Sequence, residues 1–236
     1  MTAPEVRVLP DADALASSVA DAFLEVLRGL QAEGVVPRVV LGGGGILESV
    51  HRNVATSTAT GVDWSRVEFW FGDERYVESF SADRNSLTAL REFLEPVGAS
   101  PGLIHVPPAS DSGLPLADAV ATYAQEFPTE DFDLVMLGIG PDGHTASLFP
   151  GHPAALADAD AAGVINSPKP PPLRLSMTIR RLSRSAEVWL IASGASKADA
   201  VASALATGSD PSQVPAAGPR GRGRTLWWLD AAATHR

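Results

Sequence analysis

Between residues 11 and 33 apolar side chains recur at helical spacing (Leu15, Val19, Phe23, Val26, Leu27, Leu30), with Asp11 or Asp13 able to cap the start and Gly34 able to close the end. The pattern predicts an amphipathic helix. The period then changes. Residues 37–41, Pro-Arg-Val-Val-Leu, form a short β-rich run that ends in four glycines, and residues 46–54 return to helical spacing. A second apolar run at 67–71, Val-Glu-Phe-Trp-Phe, stops at Gly72-Asp73-Glu74-Arg75, with a helix predicted over about 86–94. Further strands are predicted at 103–106, 132–137, 173–179, 188–192 and 225–229, and further helices at 116–126 and 197–205. Around residue 151 the pattern loosens into an Ala/Asp-rich piece, and the prolines of Asn166-Ser167-Pro168-Lys169-Pro170-Pro171-Pro172 preclude helix.

Strands alternating with helices of this length imply βαβ units, so the expected fold is α/β: a mostly parallel twisted sheet flanked by helices, Rossmann-like, in a single domain over 1–236. In such sheets ligands gather at the carboxyl ends of the strands. Three conspicuous loops fall on that edge: the glycines after 41, the Asp-Glu-Arg after 72, and "LGIGPDGHTASLFPG" at 137–151.

Composition narrows the chemistry. With no cysteine, disulfides, thiolate nucleophiles and cysteine metal sites are all excluded, and any metal would have to be held by His, Asp and Glu. A formal net charge of −10 argues against nucleic acid as a partner, and the one basic cluster, Arg220, Arg222 and Arg224, reads as a solvated loop before the last strand. Nothing resembles a signal peptide or a membrane span, so the expected location is cytoplasmic. An acidic chain that handles an anionic metabolite must do so with a few local cations. The chain has sixteen arginines but only two lysines, Lys169 and Lys197, and the compact ammonium of lysine differs from guanidinium as a phosphate contact.

Gly43, Gly44 and Gly45, with Gly42, could present backbone N–H groups to a phosphate at a helix N-terminus, or could simply make a tight turn. Arg75 could pair with a substrate anion or hold the carboxylate of Asp73 or Glu74. In residues 137–151, Gly138, Gly140 and Gly143 satisfy G-x-G-x-x-G, but Pro150, Gly151 and Pro153 deny the helix a dinucleotide loop must open. His144 follows the third glycine, close to Asp142. A neutral imidazole there can take a proton from water while a carboxylate fixes its tautomer, or it can cap a turn. The other histidines are His51, His105, His152 and His235, and no H-E-x-x-H spacing supports a metal site built on Asp142, His144 and His152.

"FGDERYV" with "DRNS", "LGIGPDGHTASLFPG", "NSPKPPPLRLSMT", "ASGASKADAV" and "TLWWLDAAA", in this order between about 40 and 233, resemble the 6-phosphogluconolactonase family. The resemblance implies a cofactor-free hydrolase of 6-phospho-D-glucono-1,5-lactone, a small phosphosugar lactone, acting as a monomer or weak homodimer. It implies His144 as general base, Asp142 orienting that histidine or the sugar, Asp73 and Arg75 lining the pocket, and Arg174 and Lys197 helping to bind the phosphate. The family often has Ser-Gly-Gly-Ser-Thr-Pro where this chain has Gly42-Gly43-Gly44-Gly45-Ile46-Leu47, so the hydroxyls and the helix-starting proline are missing. An amino-sugar-phosphate deaminase on the same fold is the nearest rival, but it resembles this loop only up to the histidine; a carboxylate then follows where this chain has Leu148 and Phe149. A non-catalytic sugar-phosphate or nucleotide binder is the rival from another class.

Overall fold

The strand runs are apolar at nearly every position because both faces of their sheet are covered. In a computed structural model, which describes residues 4–57 and 61–234, seven strands form one parallel sheet. In spatial order they are β1 (Glu5–Leu9), β10 (Arg224–Asp230), β9 (Ser185–Ala192), β6 (Phe132–Gly138), β2 (Arg38–Leu41), β3 (Glu68–Phe71) and β5 (Ile104–His105). His235 lies outside the described residues.

Successive side chains alternate between the two faces. Val39, Leu41, Phe69, Phe71, Leu134, Met136, Trp189 and Ile191 pack with α1 (Ala12–Ala32), α2 (Gly45–Thr56) and α3 (Asn85–Ala89). Their neighbours Val40, Trp70, Val135, Leu137, Val188 and Leu190 face the other way, against α4 (Leu116–Glu126) and α6 (Ala198–Leu205). Each such burial is worth roughly 1.5–3 kcal/mol, which explains why strands buried on both faces read as continuous hydrophobic runs. Asp11 is the residue that caps α1, its carboxylate accepting from Ala14 N at 2.8 Å.

Several local expectations are corrected. Residues 73–75 are not a loop: β4 (Asp73–Arg75) pairs antiparallel with β8 (Arg174–Met177), and β7 (Ala161–Val164) flanks β8 to complete a separate three-stranded sheet. The predicted strand at 173–179 ends early because Thr178 caps α5 (Ile179–Leu182), its hydroxyl accepting from Arg181 N. The strand at 103–106 shrinks to β5, since Pro101 opens a 3-10 turn before it and Pro107 has no N–H to offer beyond it. The helix at 86–94 begins at Asn85 and changes to a π-turn over Leu90–Leu94. Lys197 stands at the N-cap of α6 rather than inside it. No helix among the described residues is long and apolar enough to cross a membrane.

The β4–β8 pairing is the addition that matters for the site. It sets Arg75 opposite Arg174 and Asp73 opposite Ser176, over the carboxyl ends of the main strands.

Candidate active site

A cleft of about 570 Å³ opens where β2, β6 and β9 end. Gly42, Gly43, Gly44 and Gly45 wall one side, Gly138, Gly140 and His144 the centre, and Ser193 and Lys197 the other, with Asp73, Arg75, Arg174 and Lys169 brought over from the small sheet and the proline turn. Residues more than 150 positions apart in the chain therefore share one cavity.

The central turn follows β6 directly. Gly140 N donates to His144 O at 2.8 Å, Gly143 N to Gly140 O at 3.0 Å, and the Thr145 hydroxyl to Gly138 O at 2.9 Å. Gly143 has φ +85°, and no α-helix follows the turn. Ala146, with φ +48°, is a non-glycine residue held in left-handed backbone on the cleft wall, a conformation that surrounding structure must enforce.

His144 Nδ1 lies 2.5 Å from Asp142 Oδ1, and the ring packs 4.8 Å from the ring of Phe149. Asp142 does not line the cleft and stands behind the imidazole. Burial pulls the Asp142 carboxyl up, but the hydrogen bond to His144 and the charges nearby hold it below its usual value. Burial also lowers the His144 pKa, against the opposing pull of Asp142. Near neutral pH the pair is thus a carboxylate receiving Nδ1–H and a neutral ring whose Nε2 lone pair is unengaged by the described residues.

Asp73 is held on both oxygens: Ser147 Oγ donates to Oδ2 at 2.6 Å, and Asn85 Nδ2 reaches Oδ1 at 3.4 Å. Asn85 also accepts a hydrogen bond from the Arg75 guanidinium, so one amide fixes both residues. Asn85 itself is placed by Glu74, whose buried carboxylate accepts from the backbone N–H groups of Arg75, Asn85 and Ser86 at 2.8–2.9 Å and faces the Arg84 guanidinium at 3.7 Å. Burial raises the Glu74 pKa. Neither Asn85 nor Ser147 is conspicuous by residue type, although "DRNS" contains the first and "LGIGPDGHTASLFPG" the second.

Arg174 is 5% exposed, and two of its three guanidinium nitrogens are engaged by backbone: Nε reaches Pro171 O at 3.3 Å, and Nη2 reaches Lys169 O and Pro170 O at 3.2 and 3.1 Å. It binds the proline turn. Gly43 fits so closely that a Cβ there would fall 2.0 Å from Asn85 Oδ1, whereas Gly44 adopts φ +110° as the N-cap of α2 with open space around it. Arg75, Lys169, Arg174 and Lys197 form no ion pair with any described carboxylate. Four such cations in one cleft of a chain with net charge −10 mark a place built for an anion.

Outside the cleft, His152 uses both ring nitrogens, with Nδ1 accepting from Ala154 N at 3.1 Å and Nε2 3.0 Å from Ile165 O. No group of three or more His, Asp or Glu among the described residues is placed to hold a metal. In the basic cluster, Arg222 pairs with Asp131 and Arg224 with Glu5.

A parallel sheet with a His–carboxylate pair and unpaired cations at its carboxyl edge has the arrangement of an α/β enzyme that takes an anionic ligand. The chain belongs to the glucosamine-6-phosphate isomerase/6-phosphogluconolactonase family, whose pattern it matches over residues 10–227. It is 40% identical to the 6-phosphogluconolactonase of Streptomyces coelicolor, covering 98% of this chain and 93% of that one. The crystal structure of 6-phosphogluconolactonase from Thermotoga maritima superposes with a TM-score of 0.85 at 27% identity, covering 96% and 99% of the two chains. A monomeric glucosamine-6-phosphate deaminase shares the fold at TM-score 0.83 and 20% identity, over 97% of this chain and 98% of that chain.

Proposed function

We propose that the chain hydrolyses 6-phospho-D-glucono-1,5-lactone to 6-phospho-D-gluconate, the lactone-opening step of the oxidative pentose phosphate pathway. The observation that carries this reading is the Asp142–His144 pair at 2.5 Å beside four cations without carboxylate partners. His144 Nε2 takes a proton from water as its oxygen attacks the lactone carbonyl. The carbonyl π electrons move onto oxygen, and collapse of the tetrahedral adduct expels the ring oxygen, which receives the proton back from His144. The free acid then releases a proton to solvent. A positioned base supplies about 100- to 10,000-fold, enough to matter for an ester already prone to hydrolysis.

Binding falls to the cations and the glycine loop. Lys197 and the backbone N–H groups of Gly43, Gly44 and Gly45, at the N-terminus of the twelve-residue helix α2, suit a phosphate dianion. With no hydroxyl in that loop, only its backbone can donate. Arg75 and Asp73, locked together through Asn85, suit sugar hydroxyls or a second phosphate contact. The reading includes a cytoplasmic location and a monomer or weak homodimer.

Deamination is disfavoured by one observation. The positions after His144 where a deaminase carries its ring-opening carboxylate hold Leu148 and Phe149 instead, both buried and with the Phe149 ring packed 4.8 Å from that of His144, and neither can move a proton. The test is incubation of the purified protein with the lactone and, separately, with glucosamine 6-phosphate. Lactone consumption well above the spontaneous rate supports the reading. Ammonia release without lactone hydrolysis replaces it with a deaminase, and tight NAD(P) binding with neither activity replaces it with a binding module.

A further inference from the structure

Both lysines of the chain lie on the wall of this one cleft, and neither ammonium is paired by a described residue. A base and the group that holds the oxyanion must flank the same carbonyl, each within about 3 Å of a reacting atom. The cation sought therefore stands within a few ångströms of the space that His144 faces. Lys169 meets that condition: Arg174, which holds the Lys169 carbonyl at 3.2 Å, lies 5.7 Å over the ring of Phe149, and that ring packs 4.8 Å from His144, so the proline turn is anchored on the His144 side of the cleft that both residues line.

The loop that carries Lys169 is unusually fixed for a surface turn. Prolines at 168, 170, 171 and 172 lock φ on both sides of the lysine. Ser167 Oγ accepts from Lys169 N at 3.2 Å, and Ser167 N donates to Pro172 O at 3.0 Å, closing the turn. The buried Arg174 guanidinium then grips three consecutive carbonyls, those of Lys169, Pro170 and Pro171. A loop needing only to be soluble has no use for a buried arginine. A charge that must be in place before the transition state forms does, because a preorganised donor costs no rearrangement during the reaction.

We propose that Lys169 is the cation that stabilises the oxyanion formed on the lactone carbonyl oxygen, and that Arg174 is a positioning residue that aims Lys169 rather than a phosphate ligand. This rests on the lactonase reading above. In this step the attacking water gives a proton to His144, the carbonyl π pair becomes the oxyanion beside the Lys169 ammonium, and that pair re-forms C=O as the ring oxygen leaves with the proton returned by His144.

The test compares Lys169→Met, Lys169→Arg and Lys197→Met in a continuous lactonase assay corrected for spontaneous hydrolysis, over a pH series. Lys169→Met is expected to lower kcat about 100-fold with little change in KM, while Lys197→Met chiefly raises KM. The charged groups that act on His144 are Asp142 on its own turn, Asp73 from β4 and Lys169 from the proline turn; Arg174 from β8 lies over the Phe149 ring that packs against the imidazole, and Lys197 acts on Asp142. Removing the Lys169 charge relieves the imidazolium of a repulsive neighbour, so the acid limb of kcat/KM moves to higher pH. Lys169→Arg keeps the charge; it is expected to leave that limb in place and restore part of kcat. A Lys169→Met enzyme with wild-type kcat, or with only KM raised and the limb unmoved, overturns the proposal. Wild-type protein that does not hydrolyse the lactone at all instead overturns the underlying reading.

Discussion

His144 Nδ1 and Asp142 Oδ1 are 2.5 Å apart, although the two residues are separated in sequence by a single glycine. Gly143, at φ +85°, turns the chain so that the side chains on either side of it meet. The contact is charge-assisted, and it leaves Nε2 as the ring atom open to the cleft.

If that nitrogen is the base, His144→Ala should lower kcat by about 100- to 10,000-fold while the fold survives, because His144 sits on a surface turn outside both hydrophobic clusters. Lactone hydrolysis and the thermal unfolding midpoint, measured on the same sample, check this. Wild-type turnover in the variant would remove His144 from the mechanism.

The acid limb of the pH profile should fall below the ordinary imidazole value of about 6.5, since burial lowers the His144 pKa and the neutral ring is the competent form. The Asp142 carboxylate pulls the other way, so Asp142→Asn is expected to move that limb further down while reducing kcat through loss of tautomer control. A limb that rises in the variant would mean that the two groups do not titrate as a pair.

A second histidine should report on stability rather than catalysis. His51, on α2, is buried, stacked 5.3 Å from the ring of Phe93, and its Nε2 has no partner among the described residues. Burial, with some help from the charge of Arg52, lowers its pKa to about 4. Unfolded, it titrates near 6.5, so between those values the unfolded chain binds the extra proton and stability declines as pH falls. The loss is complete below about pH 4 and amounts to about 3 kcal/mol. Denaturant unfolding of wild type and His51→Leu between pH 7 and 4 checks this: the variant's stability should fall less steeply over that range, and parallel slopes would rule His51 out.

The sheet was legible because β2, β3, β6, β9 and β10 are covered on both faces, which makes each a nearly unbroken apolar run that helical segments separate. What could not be read was structure held by distant partners. β4 is Asp-Glu-Arg, three charged residues that form a strand only because β8 arrives from a hundred positions later to pair with them. β1 is an edge strand with Val6 and Val8 exposed, and β7 is four small residues, so neither has a strong pattern of its own. The site divides in the same way. His144, Asp142 and the glycine loop announce themselves in local motifs, and the two lysines by their scarcity. Ser147 and Asn85 act through Asp73 and Arg75, contacts set by tertiary packing, and the engagement of Arg174 by three carbonyls is invisible until the proline turn is folded.

Gly140 offers a sharper probe of the proposed base than removal of the imidazole. A Cβ at this position would fall 1.9 Å from His144 Nδ1 and 2.5 Å from Asp142 Oδ1, so the methyl group of alanine would occupy the space of the very atoms that pair. Its backbone N–H is committed to His144 O at 2.8 Å, which prevents the chain from simply retreating. Gly140→Ala must therefore swing the imidazole aside or open the turn, and a displacement of about 1 Å is enough to cost roughly 100-fold in rate. Gly44→Ala makes the contrasting case: nothing lies within 4 Å of its Cβ, but φ +110° is strained for any residue with a side chain, so its cost should appear in phosphate binding through the loop backbone. The expected signature is a kcat defect with near-normal KM for Gly140→Ala and the reverse for Gly44→Ala. Full activity in Gly140→Ala would mean that the Asp142–His144 contact is not required at this geometry during turnover.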